Sequence, residues 1–243
     1  MTRFVIYHQA RTGSTMIQSA LNTHPGIICE EELFHEKYTR RKPPQKARDF
    51  LEAVLFNRHA AAIGFKLQGY QATDEINQLL RDDGFRVILP YRRDKLDQYV
   101  SFLVAQQTDR WQRHAEDEYP VVKVRVDPQA FEDFVKGNDD KEADIRKTVE
   151  GLPTISVFYE DCLTDWNAQM GRIQDFLGVK SLQLKPTTFK ARTRPLKDWV
   201  ENWDELPYIG REAFGHEGEI EAEHHRGKPE TALAKAHGSL RTG

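Results

Sequence analysis

Long apolar runs are missing from this 243-residue chain. No stretch approaches the ~18 apolar residues of a membrane-spanning helix. The N-terminal run Phe4-Val5-Ile6-Tyr7 falls short of the roughly 7–15 residues of a signal-peptide core. The expectation is a cytoplasmic protein with no membrane span. Cysteine is scarce. Cys29 and Cys162 are the only two, too few for a disulfide framework. No CxxC or Cys/His cluster has the spacing of a zinc site, so no metal is expected. An excess of one charge is also lacking: 35 basic residues face 38 acidic ones, for a net charge of −3. The broad basic field of a nucleic-acid or membrane-surface binder is therefore not there.

What is present suits one globular domain. Hydrophobic residues make up 39% and charged residues 30%, enough apolar material for a sizeable core. Strand candidates alternate with helix candidates. Arg3–His8, Ala61–Leu67, Phe85–Pro90 and Thr154–Tyr159 read as buried strands. Ser14–Asn22, Thr73–Arg81, Asp94–Ala105 and Asp165–Leu177 read as helices. That alternation predicts an α/β fold with a mostly parallel sheet covered on both faces.

Three stretches break the pattern. Lys37–Arg48 is basic, carries Pro43-Pro44 and reads as an exposed connection. Residues 108–151 form a long charged insertion, read as a loop and then a helix near Pro128–Val149, a lid over the strand ends. Beyond about Arg211 the chain turns polar. The expected organisation is a domain over 1–210 and a polar tail over 211–243, its His224-His225 pair incidental.

The richest stretch is His8-Gln9-Ala10-Arg11-Thr12-Gly13-Ser14-Thr15. It follows the first strand and opens the first helix. Free N–H groups and the positive helix end suit an anion there. Gly13 allows close backbone approach, Ser14 and Thr15 add hydroxyls, and Arg11 adds a planar donor fork. It is not the loop of magnesium-dependent triphosphate enzymes, because the leading Gly and the Lys before the hydroxyl are missing. A second constellation follows the third strand candidate: Arg92-Arg93-Asp94, then Ser101 eight positions after Arg93. An Arg at a strand end and a Ser two helical turns on can face one phosphate.

Together these two motifs resemble the cofactor-binding motifs of sulfotransferases, which use 3′-phosphoadenosine 5′-phosphosulfate (PAPS) and release 3′-phosphoadenosine 5′-phosphate (PAP). Leu21-Asn22-Thr23-His24-Pro25, Glu32-Leu33-Phe34-His35, Gly64-Phe65-Lys66-Leu67, Tyr159-Glu160-Asp161-Cys162-Leu163 and Phe176-Leu177-Gly178-Val179 agree in order. The resemblance spans about residues 3–206 and is closest to the bacterial carbohydrate branch, including trehalose and nodulation-factor sulfotransferases. It implies a P-loop-like three-layer sandwich. A small-molecule kinase or nucleotide-binding protein on a related sheet is the alternative.

The resemblance implies roles. Arg11, Thr12, Gly13, Ser14 and Thr15 hold the 5′-phosphate. Arg93 and Ser101 hold the 3′-phosphate. Lys66 reaches the transferring sulfuryl group or the acceptor. Glu32 matches the general-base position, with Glu31 and His35 as rivals. Lys190, Arg192 and Arg194 resemble the late loop that closes over the cofactor's 3′ side, and a solvated loop is the other reading. The acceptor is expected to be a sugar, glycolipid or small metabolite, and Trp111 could stack on a sugar.

Overall fold

The computed structural model describes residues 1–35, 46–111, 122–187 and 194–206. Five strands form one parallel sheet: β1 (Thr2–His8), β2 (Ile27–Glu32), β3 (Ala62–Gln68), β4 (Arg86–Tyr91) and β5 (Thr154–Phe158). Their spatial order is β2-β3-β1-β4-β5. The central strand β1 pairs with β3 from Thr2↔Ala62 to His8↔Gln68 and with β4 from Phe4↔Arg86 to Ile6↔Ile88.

Strict alternation along β1 sorts its side chains onto two faces. Val5 and Tyr7 join Ile63, Phe65, Val87 and Leu89 in one core. Helices α2 (Ala47–Leu51, prolonged by a π-helical turn over Glu52–Phe56) and α3 (Asp74–Asp82) close that face with Leu51, Leu55, Ile76 and Leu79. Phe4 and Ile6 join Ile88 and Val157 in the other core. That face is closed by α1 (Ser14–Leu21) and, after the short helix α6 (Tyr159–Thr164), by α7 (Trp166–Leu177). Gly64 is needed where β3 passes β1, since a Cβ there would lie 2.4 Å from the Phe4 carbonyl oxygen. A third cluster sets Tyr99 and Val100 of α4 (Lys95–Thr108) against Val126, Trp199 and Val200.

Most expected elements are present within a residue or two. Thr73, Asp94, Asp127 and Asp165 each accept from a first-turn amide of the helix that follows. Gly178 ends α7 in the left-handed conformation.

The corrections have physical causes. Strand β2 is an edge strand ending in three glutamates, so little of it is apolar, and pairing with β3 is what makes it a strand. Ala47 and Arg48 lie in α2 rather than in a connection; residues 37–45 of that stretch are outside the described residues. Tyr159, expected to end the strand Thr154–Tyr159, begins a helix instead. The helix of the charged insertion, α5 (Pro128–Thr148), is no free lid. Ile145 and the following Val149 are buried in the first core, and Arg146 Nε donates to Tyr91 Oη at 3.0 Å. The 211–243 tail lies outside the described residues. No helix among the described residues is long and apolar enough to cross a membrane.

Candidate active site

Parallel strands release their loops at one edge, and ligands of open α/β sheets bind outside those carboxyl ends. Here β1, β2 and β3 end together at His8, Glu32 and Gln68. A cavity of about 450 Å³ opens there, lined by His8, Ala10, Arg11, Ser14, Thr15, Glu31, Glu32, His35, Gln68, Tyr70, Phe102 and Trp111. Its size is ordinary for a small-molecule site.

The β1–α1 loop forms one wall. Gly13, at φ 88°, caps α1, and the first helical bond runs from the Ile17 amide to the Gly13 carbonyl. The amides before Ile17 are left free of helical partners, and no acidic side chain lies in the first turn to compete for them. Arg11 adopts φ 64°, unusual for a residue with a Cβ. Its Nε donates to Ser101 Oγ at 2.9 Å and its Nη1 donates to the Trp111 carbonyl. Ser101 thus meets the first loop directly.

The opposite wall is acidic because of a β-bulge. Pairing of β2 with β3 slips between Glu30 and Glu32. Adjacent strand residues normally face opposite sides; a bulge re-aims one of them. Glu31 and Glu32 both line the cavity. Glu30 is paired instead with Arg58.

Lys66 joins the two walls. It is 1% exposed, on a central strand. Its Nζ donates to Thr15 Oγ1 at 3.1 Å and lies 2.8 Å from Glu31 Oε2 and 3.8 Å from Glu32 Oε1. A buried ammonium needs such partners. Glu32 has two further neighbours. Gln71 Nε2 donates to its Oε2 at 2.8 Å, and His8 Nε2 lies 3.6 Å from its Oε1. His8 Nδ1 donates to the Gln9 carbonyl at 3.0 Å. A carbonyl can only accept, so that bond places the neutral ring's proton on Nδ1. Burial, aided by the Lys66 charge, lowers the His8 pKa from 6.5 to about 4, against Glu32 and the Gln9 carbonyl. His35 stacks edge-on with Tyr70 at 6.4 Å between ring centroids.

Arg11, Gly13, Ser14, Thr15, Lys66, Glu31, Glu32 and His35 therefore lie in or beside one cavity. Thr12 is not offered to a ligand by its side chain: it is 1% exposed and its hydroxyl donates to the Gln9 carbonyl at 2.9 Å. Arg93 points elsewhere. Its guanidinium grips Asp161 with both terminal nitrogens, Nη2 at 3.0 Å from Oδ2, and lies 3.9 Å from the Phe158 ring centroid. Lys190 and Arg192 lie outside the described residues, and Arg194 is exposed. Sequence reasoning gave no role of their own to His8 and Arg92, which stand in its two motifs, and missed Gln71, Tyr70 and Gln98. Only His8 and Arg92, polar residues flanking apolar strands, carried a signal. Among the described residues no group of three His, Cys, Asp or Glu could hold a metal.

No family model matches the chain. Nodulation protein H of Rhizobium meliloti is 27% identical over 219 residues, covering 84% of this chain and 89% of that protein. Nodulation protein H of Rhizobium tropici is 26% identical over the same length, with 87% of that protein covered. A sulfotransferase from Alicyclobacillus acidocaldarius superposes with a TM-score of 0.52 at 12% identity, covering 79% of this chain and 87% of that one. The fold is that of the sulfotransferases. A mouse sulfotransferase complexed with PAP superposes with a TM-score of 0.50 at 16% identity, over 74% of this chain and 60% of that one.

Proposed function

We propose that this protein is a PAPS-dependent sulfotransferase that moves a sulfuryl group to an acceptor hydroxyl by in-line transfer. One observation carries the reading: an Arg-bearing anion loop and a pair of carboxylates face each other across one cavity, bridged by a buried lysine. The donor set fits a phosphosulfate. Arg11 and the amides at the start of α1, whose first turn carries no acidic side chain, supply positive potential. Bound PAPS supplies an activated sulfuryl group and a phosphate leaving group.

The protein's own residues do the rest. Arg11, the Gly13–Thr15 amides and the Ser14 and Thr15 hydroxyls hold the 5′-phosphate and stabilise charge that develops there. Lys66, fixed against Thr15, sits between this phosphate and the carboxylates and neutralises charge passing between them. Glu32 accepts the acceptor proton at Oε1 while Gln71 holds Oε2. Glu31, paired with Lys66, balances the ammonium. His35 and Tyr70 border the acceptor side. Arg93, Ser101 and Arg192 hold the 3′-phosphate; for Arg93 this requires leaving Asp161. This chemistry needs no metal, because Arg11 and oriented dipoles already meet the leaving phosphate.

The acceptor is a sugar, glycolipid or small metabolite, and the exposed Tyr70 and Trp111 rings at the cavity offer it apolar faces. The catalytic domain spans 1–210 and the protein works in the cytoplasm. The similarity to Nodulation protein H over most of both chains supports the reading. The test is calorimetric titration with PAP, AMP and ATP, with and without magnesium. Metal-independent PAP binding, with AMP much weaker, is expected. A preference for ATP with magnesium overturns the reading and favours a kinase.

A further inference from the structure

Three successive carbonyls of the anion loop are each capped by a buried side chain. Thr12 Oγ1 and His8 Nδ1 donate to Gln9, at 2.9 and 3.0 Å. Gln98 Nε2 donates to Ala10 at 2.8 Å. Arg92 Nη1 donates to Arg11 at 3.1 Å. Gln98 is 0% exposed and Arg92 5% exposed. Both come from the β4–α4 segment, which local sequence does not tie to the loop. Arg92 is itself braced by an ion pair with Asp97 and by the Tyr159 ring, whose centroid lies 4.4 Å from its guanidinium carbon.

A trans peptide unit points its C=O and the next N–H in opposite directions. Holding the Ala10 and Arg11 carbonyls from the α4 side therefore turns the Arg11 and Thr12 amides the other way. It also holds Arg11 at φ 64°, a conformation that a residue with a Cβ keeps only under constraint. We propose that Arg92 and Gln98 are positioning residues that fix the course of the loop at Ala10 and Arg11 and so preset the Arg11 side chain and the Gly13–Thr15 amides that follow for the 5′-phosphate. The inference rests on the sulfotransferase reading. It makes the β4–α4 segment serve both ends of the nucleotide: Arg92 and Gln98 shape the 5′ loop, and the neighbouring Arg93 is left for the 3′ end.

The experiment compares PAP with adenosine 3′-monophosphate, which lacks the 5′-phosphate, on the full chain by calorimetry. In Gln98→Met, PAP affinity is expected to fall at least about tenfold while adenosine 3′-monophosphate stays within about twofold. Arg92→Lys keeps a cation beside Asp97 and decides the matter if the first variant fails to fold; the same selective loss is expected. Equal losses for both ligands, or unchanged PAP affinity, overturn the positioning role and leave the enzyme reading intact. A parent protein that does not bind PAP overturns both.

Discussion

The ammonium of Lys66 donates to the hydroxyl of Thr15 at 3.1 Å, across 51 positions of chain. Through that bond the middle strand pair of the sheet fixes the spacing between the anion loop and the Glu31–Glu32 wall. A cation held there needs no reorganisation when negative charge develops beside it, which is where preorganised electrostatics have most effect. Replacing Lys66 with Met keeps the length and removes the charge. Turnover of PAPS is expected to fall roughly 100-fold or more. Folding is retained, because Glu31 is about 39% exposed and can be hydrated. Kinetics and a thermal melt of the variant check both parts.

Glu32 and Glu31 share the cavity but differ in partners. Gln71 and His8 surround Glu32, while Lys66 takes Glu31. Glu32→Gln is expected to bind PAP like the parent and to lose roughly 100-fold or more in turnover. Glu31→Gln should lose less. Single-turnover kinetics with calorimetric PAP binding separate the two; normal turnover in Glu32→Gln would move the base to Glu31 or His35.

Arg93 is held by Asp161, and its hydrogen bond keeps the Asp161 carboxyl below the usual carboxylate range. The pair is exposed, so breaking it should change stability by no more than about 1 kcal/mol. If Arg93 serves the 3′-phosphate, Asp161 competes with that phosphate. Arg93→Ala should then weaken PAP binding roughly tenfold. Asp161→Asn should strengthen it. Equal PAP affinity in Arg93→Ala and parent would remove Arg93 from the site.

His8 gives a pH signature. Its folded pKa of about 4 lies below the ordinary 6.5. Between those values the unfolded chain binds the proton and the folded one does not, so stability falls as pH drops through this window. His8→Gln removes the titration. Urea denaturation at pH 7 and 4.5 should show a smaller loss in the variant than in the parent. An identical loss would show that His8 titrates alike in both states.

Gly13 carries both a backbone and a packing constraint. At φ 88° a side chain is strained, and a Cβ would meet Tyr159 Cδ2 at 2.8 Å. Gly13→Ala should cost at least about 1–2 kcal/mol from the backbone alone, read as a lowered denaturation midpoint.

Local rules were enough for much of this protein. Apolar runs and helical spacing marked β1, β3, β4, β5, α1, α3, α4 and α7, because each buries a face that its own side chains announce. The loop between β1 and α1 was legible because an anion site at a helix start is built from contiguous residues. What depends on distant pairing was not legible. Strand β2 exists because β3 offers it hydrogen bonds, and its bulge turns Glu31 and Glu32 to one side. Arg92 and Arg93 are chain neighbours of the same type, yet one is buried under the loop and the other grips Asp161, because both follow the end of β4 at Tyr91, where the chain turns towards α4. Burial, register and the meeting of distant side chains are set by packing, and packing is decided by the tertiary structure.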